Sequence, residues 1–185
     1  MNQVGQLFII SSVAGGGKST LIQKLLNKDK DLKFSVSFTS RSIRHGEVQG
    51  ESYHFVDSDT FQKLIEEEFF FEWAKVHNNY YGTPKKYIYQ WLNDGKKVIL
   101  DIDIQGAKIV KKNIQDAISI FILPPSEEIW FQRLRGRGTE TEESLNTRFA
   151  NGKIELKYAN DFDYQILNDN LEEAFEKLTQ IIYRD

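Results

Sequence analysis

The stretch Leu7-Phe8-Ile9-Ile10-Ser11-Ser12-Val13-Ala14-Gly15-Gly16-Gly17-Lys18-Ser19-Thr20 decides the fold. Leu7 to Ser11 is an apolar run closing on small residues, which predicts a short buried strand. Lys18 to Asn27 places Leu21, Ile22, Leu25 and Leu26 at the spacing of one helix face. Between them, three consecutive glycines let the backbone curl until successive N–H groups converge on phosphate oxygens. The following helix points the positive end of its dipole at the same place. In such a loop Lys18 reaches the β- and γ-phosphates of a nucleoside triphosphate, and the Ser19 hydroxyl holds its Mg²⁺. Ala14, Gly15, Gly16, Gly17 and Thr20 complete the cradle. Ser12 stands where the full pattern has its first glycine. A merely flexible glycine connector does not require a strand before it and a helix after it, and this loop has both.

Further along the chain the same alternation returns. Val98 to Asp103 is an apolar run that ends in two acids, Asp101 and Asp103, placed to serve as a Mg²⁺ partner at a strand end. Ile118 to Leu123 is another apolar strand, stopped by Pro124-Pro125. Ser126 is set to cap the next helix, with Glu127 and Glu128 suited to its dipole. Thr139 with Glu142, and Asn170 with Glu173, have capping-box spacing. Leu171, Ala174, Phe175, Leu178 and Ile182 form the buried stripe of a last helix. Strands separated by helices predict an α/β fold, with a parallel sheet flanked by helices.

Two segments break the alternation. Phe34 to Trp91 is rich in aromatic residues and reads as mixed α/β. Phe34 to Phe38 alternates like a half-exposed strand, and Phe61, Leu64 and Ile65 share a helix face. Thr83 is placed as the cap of a further helix, Pro84 as its first residue and Gly95 as its stop. The second segment, Ser126 to about Glu155, is rich in arginine.

The composition restricts the function classes. With 185 residues the chain has room for one domain with small appendages. A formal net charge of -3 argues against a general nucleic-acid binder. No cysteine is present, which excludes disulfides, thiol nucleophiles and Cys-based zinc sites. His45, His54 and His77 show no metal-ligand spacing. The apolar run near the start is too short for a signal peptide or a membrane span, so a cytoplasmic protein with no membrane partner is expected.

A phosphate loop alone is compatible with a GTPase, an ATPase or a kinase. Arg41 and Arg44, three apart beside a Gly turn, are suited to grip a phosphate, and Tyr53, Tyr80 and Tyr81 can add hydroxyl donors. Thr39-Ser40-Arg41-Ser42-Ile43-Arg44-His45-Gly46-Glu47-Val48-Gln49-Gly50 resembles the guanylate kinase signature T-T-R-x-P-R-x-G-E-x-x-G, with Ser40 and Ile43 in place of Thr and Pro. The similarity continues through Tyr53-His54-Phe55-Val56, Phe71-Glu72-Trp73-Ala74, Asn79-Tyr80-Tyr81-Gly82-Thr83, Leu100-Asp101-Ile102-Asp103-Ile104-Gln105-Gly106 and Leu134-Arg135-Gly136-Arg137-Gly138.

The resemblance implies a P-loop kinase core (1–33, 91–124, 156–185), a GMP-binding insertion (34–90) and a helical lid (125–155). It implies transfer of the γ-phosphoryl group of ATP to GMP, and also to dGMP, in purine nucleotide metabolism and GMP recycling. Mg²⁺ accompanies ATP, with Ser19 and Asp101 as its protein contacts. The GMP phosphate is implied on Arg41, Arg44, Tyr53 and Tyr81, and the guanine on Ser37, Glu72, Thr83 and Asp103. A carboxylate suits guanine, whose Watson–Crick edge carries two adjacent donors, and meets repulsion from the N1 lone pair of adenine. Arg137 and Arg148 are implied as lid arginines on the transferring phosphoryl, with Arg133 as a further candidate. Asn168 is implied near the adenine of ATP. The oligomeric state, monomer or homo-oligomer, is left open.

Overall fold

A computed structural model describes residues 5–76, 78–136 and 142–184. Five strands form one sheet: β1 (Gln6–Ser12), β2 (Lys33–Ser35), β7 (Lys97–Asp101), β8 (Ile118–Leu123) and β9 (Tyr164–Leu167), in the order β2-β7-β1-β8-β9. The β2/β7, β1/β8 and β8/β9 pairings are all parallel. A second, four-stranded sheet has the order β4-β3-β6-β5, from β3 (Phe38–Thr39), β4 (His54–Phe55), β5 (Phe70–Val76) and β6 (Asn79–Pro84). The chain is thus α/β, a parallel sheet flanked by helices together with a mixed sheet.

Contacts divide the chain into two compact units, residues 5–7 with 31–117 and residues 8–30 with 118–184. In the second unit, β1 leads through the glycine loop into α1 (Lys18–Lys28), and α1 packs on α7 (Leu171–Ile182). Ile9, Ile10, Leu21, Leu25, Ile120, Phe121 and Ile122 are fully buried. Each such side chain contributes roughly 1.5–3 kcal/mol by leaving water. Asn170 caps α7, accepting from the Glu172 and Glu173 N–H groups, as its spacing predicts. Ser126 caps α5 (Glu127–Arg135), and α6 (Glu142–Leu156) packs on α5. Thr139 and His77 lie outside the described residues.

In the first unit, α2 (Ser58–Glu66) covers one face of the four-stranded sheet, with Phe61 stacked on Phe70 (4.5 Å) and on Tyr80 (5.3 Å). α3 (Lys86–Asn93) packs on β2 and β7, and α4 (Ile104–Asn113) on β5. Three local expectations are corrected here. The Phe34–Phe38 run is not one strand: it breaks at Val36-Ser37, and its halves join different sheets. Thr83 and Pro84 do not open α3. They continue β6, opposite Glu72 and Phe70, because the Thr83 hydroxyl is used across the sheet. Asp103 is not on β7 but caps α4, accepting from the Gly106 N–H. Gly95 does stop α3, at φ +73°.

Candidate active site

The phosphate loop is built from the backbone outward. Gly15 and Gly17 have φ of +80° and +88°, conformations costly for any other residue. The loop carbonyls are tied away from its interior: the Trp130 indole N–H donates to Ala14 O (2.7 Å) and the Asn168 amide to Gly16 O (2.8 Å). A Cβ on Gly16 would collide with Ser12 Oγ, and one on Gly17 with Asn168 Nδ2. Ser12, at the pattern's missing glycine, donates to Ile122 O (2.8 Å) and so ties the end of β1 to β8. α1 starts without a side-chain cap and with no acid in its first turn. Its amide donors and its dipole therefore favour an anion. Lys18 is half-buried, and Ser19 and Thr20 are exposed at the head of α1.

Asn168 is 3% exposed, and its carbonyl accepts from Arg133 Nη1 (3.0 Å). Its side-chain amide therefore serves the loop, and its backbone carbonyl serves α5. Arg148 is half-buried on α6, beside Phe149, which packs 4.5 Å from the Trp130 ring. Arg137 lies outside the described residues.

A second group of predicted site residues, in the other unit, rests on one face of the four-stranded sheet. Glu72 stands opposite Thr83, Ala74 opposite Tyr81, and Tyr81 opposite Thr39. Ser37, 7% exposed, precedes β3 on the same line. Cross-strand neighbours share a face, so this row collects Glu72, Thr83, Tyr81 and Thr39. A bulge between Phe70 and Glu72 shifts the register of β5. Phe70 thereby faces Phe61 on α2 while Glu72 turns to the other side.

Glu72 is 5% exposed and accepts a 2.5 Å hydrogen bond from the Thr83 hydroxyl. A Cβ on Gly106 would meet Glu72 Oε2 at 2.5 Å and Asp103 Oδ1 at 3.3 Å, so only glycine lets the head of α4 approach this acid. Burial pushes the Glu72 carboxyl up to about 7, against the Thr83 hydrogen bonds and helped by the Asp103 charge. Two acids, one buried, form a place for a ligand edge that presents hydrogen-bond donors.

Beside them the two arginines occupy a turn. Glu47 N–H donates to Arg44 O (3.1 Å), and Gly46, at φ +83°, supplies the positive φ of that turn. The Glu47 carboxylate accepts from Arg41 Nη1 (2.9 Å), Arg41 Nη2 (2.8 Å) and the Arg44 N–H (2.8 Å). Burial alone raises the Glu47 carboxyl, but these bonds and the two guanidinium charges outweigh it and hold the group below the usual carboxylate range. The Arg41 guanidinium lies 5.5 Å from the Tyr53 ring centre and 5.6 Å from that of Phe55. Tyr53 and Tyr81 meet edge-on at 6.1 Å. Burial, with Asp101 and Tyr81 nearby, raises the Tyr53 hydroxyl far above its ordinary value, so it remains a neutral donor.

Ser40 keeps the hydroxyl of the threonine it replaces, accepting from the Tyr80 N–H (2.9 Å) to pin this loop to β6. Ile43, in place of proline, is 53% exposed. Two residues that sequence reasoning left without a role are structural supports, Glu47 for the arginine turn and Trp130 for the glycine loop. Glu47 was visible as an acid six residues from Arg41. For Trp130 no local signal existed, because its partner Ala14 is 116 residues away.

A family model described as guanylate kinase matches residues 4–185. A guanylate kinase of Caldanaerobacter subterraneus subsp. tengcongensis is 46% identical over 178 residues, covering 96% of this chain and 86% of that protein. One from Rickettsia felis is also 46% identical, over 96% of this chain and 93% of its own. Among solved structures, a crystal structure of guanylate kinase from Anaplasma phagocytophilum superposes with a TM-score of 0.81 at 32% identity, covering 97% of this chain and 85% of that one.

Proposed function

The chain belongs to the guanylate kinase family and is an ATP:GMP phosphotransferase, and we propose that the two sets of residues described above carry its two substrates. ATP is assigned to Ala14–Thr20, with Lys18 on the β- and γ-phosphates. GMP is assigned to the sheet face: its phosphate to Arg41, Arg44, Tyr53 and Tyr81, and its base to Ser37, Glu72, Thr83 and Asp103. We assign the lid role to residues 125–155, with Arg148 and Arg137 acting on the transferring group. Asn168, whose side-chain amide holds the loop through Gly16 O, is assigned near the adenine of ATP. The observation that carries the reading is the buried Glu72–Thr83 pair on a sheet face that also bears Tyr81, with Asp103 at the head of α4 packed close to it.

The chemistry follows from these groups. The acceptor is a phosphate oxygen, already a nucleophile, so no enzyme base or covalent intermediate is needed. The work is positioning and the neutralisation of charge spread over the transferring phosphoryl. Ser19 and Asp101 offer hard oxygen ligands of the kind Mg²⁺ takes, and would hold it with the triphosphate. When bound with ATP the ion polarises the phosphoryl oxygens. Lys18 and the loop amides hold the donor, and Arg41 with Arg44 holds the acceptor. Glu72 accepts from guanine N1–H and the 2-amino group. Adenine presents a lone pair at N1 and no 2-amino group, and a site built this way rejects such a mismatch by about 10⁴-fold.

Lys18→Ala tests the donor assignment. Turnover is expected to fall by about 10²-fold or more, while GMP affinity measured by calorimetry stays near that of the parent. Near-normal turnover in that variant removes Lys18 from the mechanism.

A further inference from the structure

The hydrogen bonds of Arg41 are more specific than a positive charge for phosphate requires. A guanidinium has five N–H donors in a fixed plane. Three are committed here: one Nη1–H and one Nη2–H go to the two Glu47 oxygens, at 2.9 and 2.8 Å, and the other Nη1–H goes to Ser42 O at 2.7 Å. The Arg41 side chain is 10% exposed. Its Nε–H is buried and has no hydrogen-bond partner. A donor left like this costs roughly 1–3 kcal/mol, so a native structure that keeps one calls for an explanation.

The two remaining donors are Nε–H, which has no partner, and the second Nη2–H, and the Tyr81 side chain also hydrogen-bonds this guanidinium. These two donors point the same way along one edge of the guanidinium, spaced to meet two oxygens of one phosphate. Glu47 occupies the opposite fork. Its third bond, from the Arg44 N–H, ties the second arginine's backbone to the same carboxylate. A carboxylate beside an anion site weakens the local positive field, so its presence needs a geometric reason. Holding Arg41 by its end fork is such a reason, because it fixes which edge remains open.

We propose that Glu47 is a positioning residue for the acceptor site, and that the GMP phosphate binds Arg41 through the edge formed by Nε–H and the second Nη2–H. This rests on the reading of the sheet face as the GMP site. The phosphate takes the orphaned donor as its partner. Glu47 touches no substrate. It acts by removing the other rotations and the other fork from competition.

Guanosine carries the base without the phosphate and separates this effect from general damage. By calorimetry on the whole chain without ATP, Glu47→Gln is expected to weaken GMP binding by about 10- to 100-fold, the value of one or two charge-assisted hydrogen bonds. Guanosine affinity is expected to stay within about twofold, since the base contacts are untouched. Arg41→Lys keeps the charge, lacks the edge, and is expected to show the same selective loss. Equal losses for GMP and guanosine, or no loss, overturn the proposal.

The unsubstituted chain gives a second readout that does not depend on a variant folding. With ¹⁵N-labelled arginine, the Arg41 Nε–H resonance is expected to shift on adding GMP and to stay in place on adding guanosine. GMP binding with an unmoved Arg41 Nε–H overturns the assignment alone. If the chain binds neither ligand, the reading of the sheet face fails, and this proposal with it.

Discussion

Glu72 is the residue we propose to choose the substrate, through its environment. A carboxyl at 5% exposure, with one short bond to Thr83, has a proton affinity set by burial. Raised to about 7, it is half protonated near neutrality in the free protein. Guanine needs the charged form, which accepts from both N1–H and the 2-amino group. The kcat/KM for GMP is therefore expected to rise with pH through about 7, while the KM for ATP shows no matching inflection. In Glu72→Gln the amide offers one acceptor and introduces a donor against the guanine edge. Use of GMP is expected to fall by about 10²-fold or more, with ATP use little changed. A pH profile flat between 5.5 and 8.5, or equal losses for both substrates, would move Glu72 out of the base site. The linkage also has a stability sign. Because the folded carboxyl is raised above its unfolded value of 4.5, its contribution is fully present below that value and is lost as pH rises through about 7. Stability and GMP use are thus expected to run in opposite directions with pH.

At the scale of elements, α5 and the phosphate loop act as one piece. Trp130 is 1% exposed, donates to Ala14 O, and fits so closely under α6 that a Cβ on Gly152 would lie 2.5 Å from its ring. Leu134 backs Gly15 at 3.1 Å from a notional Cβ, and Arg133 holds the Asn168 carbonyl. Trp130→Phe keeps much of the packing and removes the bond to the loop. It is expected to raise the KM for ATP by roughly 3- to 10-fold, about the value of one hydrogen bond, and to leave the KM for GMP unchanged. A change confined to GMP would separate α5 from the loop. The element scale also shows where sequence reading succeeds. Strand-loop-helix order around Gly15–Lys18 is local chemistry, as are the caps at Ser126 and Asn170, and both were legible. The break at Val36-Ser37 and the continuation of β6 through Thr83-Pro84 were not. Thr83 has every local mark of a helix cap, and only a cross-sheet partner eleven residues away, Glu72, redirects its hydroxyl. Asp103 was legible as an acid after an apolar strand, but its capping of α4 depends on where β7 ends.

For the molecule as a whole, fold and family were readable because the motifs are short, contiguous and in order along the chain. The supports of the site were less so, because they depend on distant pairings such as Ala14 with Trp130 and Gly16 with Asn168. No described helix is long and apolar enough to cross a membrane. The central claim is that an amide-and-lysine cradle for a triphosphate and an acid-and-arginine face for a guanine nucleotide together make a base-selective phosphotransferase. Initial rates of ADP release with ATP and Mg²⁺, measured separately with GMP, dGMP, AMP, CMP and UMP, test it most directly. Turnover is expected with GMP and dGMP, at a kcat/KM about 10³-fold or more above that of AMP. Equal rates with GMP and AMP, or turnover with none of the five, would contradict the account.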